Sequence, residues 1–319
     1  MKYRSLGNSN LEVSEIGIGG NTFGRANDLD KTKEILSAAF SLGINTVDTA
    51  DIYGGNGTSE KYVGEALKEN RNEWIIMTKF GAPNIPGNNP HTTLTPSATK
   101  EYIDYAIDAS LKRLQVNYID VYQVHFPHEM VPSEETMSAL NELVKAGKVR
   151  HVGCSNYKVW HMVQSQHVAK QNNFAPFISS QPPYSLVDRR VEKEHLPACE
   201  QYGIGIIPYS PLASGFLTGK YQKNEPAPKG SRFETTSTAG YATRFINDRN
   251  FDILDKLNIF ANNKGAKLSH VSLRWLLEQK QVSTIIAGVT SIDQLKDNVQ
   301  AAKLVLSKDE LEELDKITK

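Results

Sequence analysis

The sequence predicts a single α/β domain over residues 1–319, a (β/α)8 barrel with an N-terminal β-hairpin and a long loop after its seventh strand. Short β-branched runs recur along the chain, and segments with helical periodicity separate most of them. No GxGxxG follows the first run, because Gly17, Gly19, Gly20 and Gly24 have the wrong spacing, which argues against a Rossmann domain. Alternating β and α units predict a parallel sheet, and the count of eight strands favours a closed barrel over an open doubly wound sheet.

The predicted strands are short apolar runs that cover residues 15–19, 45–48, 74–79, 118–124, 149–154, 176–181, 204–209 and 283–287. Helical periodicity is clearest over residues 30–42, 97–114, 133–146, 191–202 and 269–280. The serine hydroxyls of Ser59 and Ser133 are predicted to cap helices. Gly147 and Gly203 are predicted to end them.

One connection is much longer than the others. Between Leu212 and Asp248 the chain is rich in Gly, Pro, Thr and Ser and has weak periodicity. A loop of this size in a compact domain is usually functional or disordered. The composition of this segment leaves both outcomes open.

Charge and composition argue against several classes of function. The 36 basic residues balance the 36 acidic ones, so no net field favours nucleic acid or an anionic membrane. Cys154 and Cys199 are too few for a disulfide framework and are typical of a reducing compartment. No stretch approaches the roughly 20 apolar residues that cross a bilayer. The expectation is a cytoplasmic protein without nucleic-acid or membrane partners, as a monomer or weak homo-oligomer.

Four polar residues stand at or just after the ends of predicted strands, which is where the active sites of parallel barrels lie. They are Asp48, Tyr53, Lys79 and His125. Taken singly, each has a structural explanation: a helix cap, a packed ring, a snorkelling lysine and a core histidine. Their joint placement at the same end of three consecutive strands favours a catalytic site.

The chemistry of the set is that of a general acid with groups that tune it. A free tyrosine has a pKa of about 10 and exchanges protons poorly near neutrality. A nearby Lys79 ammonium is expected to lower the pKa of Tyr53, and Asp48 is expected to hold Lys79 in place and charged. His125 then orients a carbonyl oxygen.

The segments DTADIYG, MTK, QVHFP and GCSN resemble the aldo-keto reductase family, and the resemblance runs along the whole chain. It implies a catalytic tetrad of Asp48, Tyr53, Lys79 and His125. It also implies an NADP(H)-dependent oxidoreductase that reduces aldehydes or ketones to alcohols. The small carbonyl substrate is the only partner that the resemblance predicts.

The resemblance also implies a cofactor site. Ser155, Asn156 and Gln181 match residues that hold the nicotinamide carboxamide, and Tyr209 matches the aromatic that stacks on the nicotinamide ring. The remaining matches are Ser210, Leu212, Gly215, Leu217 and Lys220 for the pyrophosphate, Gly288, Thr290, Gln294 and Asn298 for the adenosine, and Thr22 and Phe23 of the first loop beside the cofactor and pocket.

The choice between NADPH and NADH depends on two positions. Many NADPH-dependent members carry Arg or Lys where this chain has Thr290, and that cation binds the 2′-phosphate. Arg232 matches a basic residue in the cofactor-covering loop of some relatives and can supply the charge. NADPH is therefore expected ahead of NADH, with NADH possible.

Other functions account for less of the sequence. A Schiff-base aldolase would use Lys79, but pairing with Asp48 keeps a lysine protonated. Some family relatives are non-catalytic, NADP(H)-binding regulatory subunits of ion channels that sense redox state, and this role stays open as the alternative. Cys154 lacks a histidine partner and is predicted to be a buried small residue rather than a nucleophile. The histidines show no HExxH pairing, so no metal is predicted.

Overall fold

A computed structural model describes residues 1–82, 97–234 and 244–319. Eight parallel strands form one sheet, which confirms the predicted (β/α)8 architecture. In chain order after the N-terminal hairpin they are β3 (Ile16–Gly19), β4 (Thr46–Asp48), β5 (Ile75–Phe80), β6 (Ile119–Val124), β7 (Val149–Ser155), β8 (Phe177–Gln181), β9 (Gly205–Ile206) and β10 (Ile285–Gly288).

Each strand pairs with its neighbour in the chain, and β10 pairs with β3. A parallel bridge between Ile206 and Val282 joins the remaining edges, supported by a 2.9 Å bond from Ser283 N to Ile206 O. The sheet is therefore closed on itself, and closure removes the unpaired edges that an open sheet would expose.

The predicted N-terminal hairpin is present as β1 (Tyr3–Ser5) and β2 (Glu12–Ser14). It covers the end of the barrel where the strands begin, because Asn8 N donates to Gly203 O at 2.8 Å just before β9. Gly7, with φ of 56°, fits there because an added Cβ would lie 2.2 Å from Ile178 O. A buried cluster fills the barrel beneath, made of Leu6, Leu11, Val13, Met77, Val121, Ile178, Ile207 and Ile286.

Ten helices are described outside the barrel: α1 (Leu29–Ser41), α2 (Thr58–Leu67), α3 (Lys100–Leu114), α4 (Ser133–Lys145), α5 (Val159–Asn172), α6 (His195–Tyr202), α7 (Asp248–Lys264), α8 (Leu268–Leu277), α9 (Ile292–Gln300) and α10 (Lys308–Thr318). Their apolar faces form the larger core against the outward side chains of the strands. None of the helices in the described ranges is long and apolar enough to cross a membrane.

Two of the predicted helix caps are wrong. Gly57 is the N-cap of α2, and the hydroxyl of Ser59, the second residue of the helix, donates to Gly20 O at 2.7 Å. Pro132 is the N-cap of α4, so Ser133 is its first helical residue. Helix α2 thus begins at Thr58, before the predicted serine, whereas α4 begins at Ser133 as the periodicity predicts, with its cap one residue earlier.

The predicted helix stops are confirmed, because Gly147 and Gly203 follow helix ends with φ of 72° and 66°. The helix predicted from residue 191 begins later, at His195, after a short 3-10 turn at Arg190–Glu192. The strand predicted over residues 204–209 is reduced to β9. Pro208 has no amide hydrogen with which to extend the ladder.

The long loop after β9 is also present. It opens with a 3-10 segment, Ala213–Thr218, and α7 begins at Asp248. Within residues 219–234 and 244–247 the structure has no further helix or strand. The part of the predicted loop at residues 235–243 lies outside the described residues.

Candidate active site

A buried ion pair lies at the carboxyl end of the barrel. Lys79 on β5 donates from Nζ to Asp48 Oδ2 at 2.6 Å and to the carbonyl oxygen of Thr49 at 2.9 Å. The Lys79 side chain is fully buried. Burial lowers the pKa of Lys79, but the Asp48 charge and the Tyr53 hydroxyl outweigh it, so the pKa lies above its ordinary value. The lysine is a fixed cation and not a free amine, which disfavours Schiff-base chemistry.

Two glutamine side chains complete the surroundings of Asp48. Gln123 and Gln181 donate from Nε2 to its Oδ1 at 3.1 and 3.0 Å. The carboxylate therefore accepts bonds on both oxygens inside the barrel. Sequence reasoning missed Gln123, although it is a polar residue within the apolar strand YIDVYQV, and it assigned Gln181 to the nicotinamide alone.

Tyr53 lies in the loop between β4 and α2, with its ring centroid 4.9 Å from Lys79 Nζ. Burial raises the pKa of the Tyr53 hydroxyl above its ordinary value, and Lys79 offsets this only in part. The expected net lowering is therefore wrong. The phenol is protonated near neutral pH, which is the form that can donate a proton.

His125 follows β6, and its ring meets the Tyr53 ring edge-on at a centroid distance of 5.9 Å. Burial and the Lys79 charge hold the pKa of His125 well below its ordinary value. The imidazole is therefore neutral, and it can donate a hydrogen bond without bringing a second cation beside Lys79. Its Nδ1 has no hydrogen-bond partner in the described part of the chain.

A second buried acidic group lies behind these residues and was not foreseen. Asp51 is 8% exposed, and its Oδ1 has no partner among the described residues. Burial and the nearby Glu60 charge raise the pKa of Asp51 to about 7. Glu60 itself accepts from Arg113 Nε at 2.5 Å and from Thr78 Oγ1 at 2.7 Å.

Several residues matched to the nicotinamide site form one chain of hydrogen bonds. Tyr209 OH donates to Asn156 Oδ1 at 2.9 Å, and Asn156 Nδ2 donates to His125 O at 3.0 Å. Ser155 Oγ donates to Gln181 O at 2.8 Å. These residues are therefore next to the tetrad. Gln181 donates to Asp48 from Nε2, so its Oε1 atom makes no bond to Asp48.

The segment that follows Tyr209 has an unusual backbone. Ser210, Ala213 and Ser214 have φ of 53°, 47° and 58°, and Gly215 has φ of 90°. Left-handed conformations of non-glycine residues cost of the order of 1–3 kcal/mol each and cluster at ligand sites. Backbone turned in this way forms anion-binding concavities.

Lys220 lies beside this segment, where an added Cβ on Gly215 would be 2.9 Å from its Nζ. Burial lowers the pKa of Lys220. No acidic side chain of the described residues is within salt-bridge distance of it. A strained backbone concavity with a lysine that lacks an acidic partner there fits a pyrophosphate.

The residues matched to adenosine lie at the end of β10 and the start of α9. Thr290 donates from N and Oγ1 to Gln294 Oε1 at 2.9 and 3.1 Å, Gly288 is exposed, and Asn298 is 7% exposed. Thr22 Oγ1 donates to Val289 O at 2.9 Å, which joins the first loop to this edge.

Other matched residues are less open to a ligand. The side chains of Phe23 and Leu217 are fully buried in the larger core, so only their backbone can reach a cofactor. Leu212 is partly buried against the same core. Arg232 is exposed, and its charge lowers the pKa of Tyr53, so it lies on the tetrad side of the site. Cys154 is fully buried with its pKa raised by burial to about 12, which confirms a packing residue.

A closed parallel barrel with titratable side chains gathered at the carboxyl ends of its strands places the chain among the (β/α)8-barrel enzymes. The model of the Aldo/keto reductase family matches residues 15–319. The chain therefore belongs to the aldo/keto reductase family.

Curated relatives agree along nearly the whole chain. A protein of Schizosaccharomyces pombe named putative voltage-gated potassium channel subunit beta is 37% identical, over 99% of this chain and 92% of its own length. The L-glyceraldehyde 3-phosphate reductase of Escherichia coli O157:H7 is 34% identical, over 99% of this chain and 92% of its own length. Aldo-keto reductase dtxS3 of Metarhizium robertsii is 35% identical, over 99% of this chain and 90% of its own length. The chain is thus an NAD(P)H-dependent aldo-keto reductase.

Proposed function

We propose that this enzyme reduces aldehydes or ketones to alcohols, with Tyr53 as the proton donor and NADPH as the preferred cofactor. The observation that carries the proposal is the Lys79 ammonium, buried between Asp48 Oδ2 at 2.6 Å and the Tyr53 ring at 4.9 Å. This pairing combines a fixed cation with a protonated phenol.

When bound, the reduced nicotinamide supplies a hydride to the carbonyl carbon. Tyr53 then donates its hydroxyl proton to the carbonyl oxygen, where negative charge develops. Lys79 stabilises the phenolate that remains, and Asp48 keeps Lys79 charged and in place. The neutral His125 orients the carbonyl oxygen by a hydrogen bond.

The chain offers residues for each part of the cofactor. Ser155, Asn156 and Gln181 would hold the carboxamide, with Tyr209 as the stacking ring. The pyrophosphate would bind the strained backbone from Ser210 to Leu217 and the Lys220 ammonium. Gly288, Thr290, Gln294 and Asn298 would surround the adenosine. Arg232 would add positive charge near the cofactor phosphates, which favours the more highly charged NADPH over NADH.

The test is Tyr53→Phe, which removes the proton donor and leaves the proposed cofactor contacts. NADPH oxidation is followed by nicotinamide absorbance with a reactive aromatic aldehyde, and NADPH binding is measured by fluorescence titration. We expect kcat to fall by at least about 100-fold while the NADPH dissociation constant stays within about two-fold.

Tyr62→Phe is the matched control, because it removes the same hydroxyl group from a tyrosine of α2 that packs against the core. It should retain parental turnover. A Tyr53→Phe variant that turns over as fast as the parent would remove Tyr53 from the mechanism.

A second candidate is a cofactor-binding regulatory subunit, favoured by the relative named as a potassium channel subunit beta. In that role the barrel would bind NADP(H) without catalytic turnover. The same assay separates the two, because a sensor binds NADPH tightly yet shows no turnover with any aldehyde in a small panel.

A further inference from the structure

Gln123 is a buried polar residue to which neither the family resemblance nor the proposed tetrad gives a role, although it is the first residue of the QVHFP segment. It lies on β6 opposite Lys79 of β5 in the strand register, two residues before His125. Its side chain is fully buried, and its Nε2 donates to Asp48 Oδ1 at 3.1 Å. Gln123 therefore touches the residue that holds the lysine.

Packing alone does not explain a glutamine here. Its Oε1 is buried and has no hydrogen-bond partner in the described part of the chain. An unsatisfied buried acceptor costs of the order of 1–3 kcal/mol, whereas methionine fills a similar volume without that cost. The bond from Nε2 to Asp48 is the one feature of Gln123 that an apolar side chain could not replace.

The next strand along makes room for this side chain. Gly153 of β7 is in register with Gln123, and an added Cβ would lie 3.2 Å from Gln123 Cγ and 2.3 Å from Ser179 Oγ. The hydroxyl of Ser179 is also buried and unpartnered among the described residues. Ser179 is thus a buried polar neighbour in the same layer that does not hydrogen-bond to Asp48.

Asp48 has two oxygens with different tasks. Oδ2 meets Lys79, while Oδ1 accepts from Gln123 and Gln181 on either side. A carboxylate held at Oδ1 by two amides cannot rotate about its Cβ–Cγ bond without breaking both bonds. The pair of amides therefore fixes the direction from which Asp48 presents Oδ2.

We propose that Gln123 is a positioning residue for the reductase reaction, which holds the Asp48 carboxylate so that Lys79 stays beside Tyr53; this rests on the proposed function of the tetrad. Without Gln123 the Asp48–Lys79 pair shifts, and Lys79 stabilises the Tyr53 phenolate less. The substrate and cofactor surfaces are unchanged, so the effect falls on kcat and its pH profile rather than on KM.

The experiment compares the parent enzyme with Gln123→Met, and with Ser179→Ala as the control from the same buried layer. Aldehyde reduction is measured across pH, NADPH binding by fluorescence titration, and the Asp48–Lys79 geometry in crystal structures of parent and variant. We expect Gln123→Met to lower kcat about ten-fold, with KM and NADPH affinity within about two-fold. The alkaline limb of kcat should move to higher pH, because the phenolate is less stabilised. Ser179→Ala should behave as the parent.

In the crystal structure of Gln123→Met we expect the Lys79 Nζ to Asp48 Oδ2 distance to exceed about 3.2 Å. A folded variant with the parental ion pair, kcat and pH profile would overturn the proposal. If Gln123→Met does not fold, Gln123→Asn carries the test, since its shorter amide cannot reach Asp48 and should give the same shifts. A parent enzyme without turnover would overturn the proposed function, while the crystal structures still decide whether Gln123 positions Asp48.

Discussion

At the scale of single residues, Asp51 shows how burial and charge compete beside the site. Its carboxyl group faces Glu60 of α2, which raises its pKa, and Arg113 of α3 and Lys79 of β5, which lower it. Burial is the largest influence, and the pKa of Asp51 rises to about 7. The amide nitrogen of Asp51 also donates to Lys79 O at 3.1 Å, so this group is tied to β5.

This raised pKa predicts a pH-dependent loss of stability. In the unfolded chain the Asp51 carboxyl ionises with its ordinary pKa of 3.8, whereas in the folded protein it keeps its proton up to about pH 7. The folded state binds more protons between these values, so its stability falls as pH rises through them. Asp51→Asn is neutral at every pH and escapes this loss. The free energy of unfolding of the variant, relative to the parent, should rise by roughly 3 kcal/mol between pH 5 and pH 8.

Urea titrations of both proteins across that range provide the measurement. Asp30→Asn serves as the control, because it makes the same substitution at an exposed residue of α1, away from the buried carboxyl group of Asp51. Parallel stability curves for Asp51→Asn and the parent would show that Asp51 ionises normally in the folded protein.

Residues with chemical roles were predictable to different extents. Asp48, Lys79 and His125 interrupt or follow apolar strands, and their position alone predicts convergence at one end of the barrel. The role of Gln123 depends on which face of β6 points inward and on a glutamine reaching across to β4. The net pKa of Tyr53 depends on the depth of burial, which a sequence motif does not contain.

At the scale of elements, α2 packs unusually closely against α3. Gly64 is buried in the middle of α2, and a Cβ there would lie 2.2 Å from the carbonyl oxygen of Leu114 at the end of α3. Gly57, the N-cap of α2, similarly makes room for Arg113, whose Nε would be 2.3 Å from an added Cβ. Arg113 reaches Glu60 through this space, so the glycines allow the ion pair between Arg113 and Glu60 that lies beside Asp51.

Gly64→Ala tests this contact, because helix propensity predicts a gain in the free energy of unfolding and packing predicts a loss. Alanine in a helix interior is favoured over glycine by about 1 kcal/mol. Here the clash is with backbone, which cannot move aside as a flexible side chain can, and overpacking costs about 1–3 kcal/mol or more. We expect a net loss of roughly 2 kcal/mol in the free energy of unfolding. Thermal and urea unfolding of the variant check it, and a stabilised Gly64→Ala would mean that α2 and α3 separate easily.

The elements were predicted better in their order than in their ends. Strand periods and glycine stops place β3 to β8 within one residue or so, since burial on both faces gives continuous apolar runs. The caps of α2 and α4 were misassigned because Gly57 and Pro132 precede these helices without a capping side chain. The shortness of β9 was missed although Pro208, which lacks an amide hydrogen, stands within the predicted strand.

At the scale of the whole molecule, the proposed catalytic residues and a buried ion-pair network lie at opposite ends of the barrel. The tetrad residues lie at the carboxyl ends of the strands, whereas Asp120 lies near the start of β6 at the opposite end. Asp120 is fully buried and accepts from Arg71 at 2.7 Å, from Arg150 at 3.0 Å and from Ile76 N at 2.9 Å. Both arginines also stack on the ring of Tyr118, because Cζ of Arg71 and Cζ of Arg150 lie 4.4 and 4.1 Å from its centroid.

Asp120→Asn is predicted to weaken the fold while leaving catalysis unchanged. The amide keeps the shape of the carboxylate but removes the charge that two arginines require, and breaking a buried pair costs about 3–5 kcal/mol. Arg150 is half exposed, so we expect the lower end, about 3 kcal/mol, in urea unfolding. Asp108→Asn breaks the exposed pair with Lys148 and should cost less than about 1 kcal/mol. The kcat and KM of folded Asp120→Asn should equal those of the parent, because no part of the proposed site is moved. A variant that keeps its stability but loses turnover would show that the two ends of the barrel are coupled.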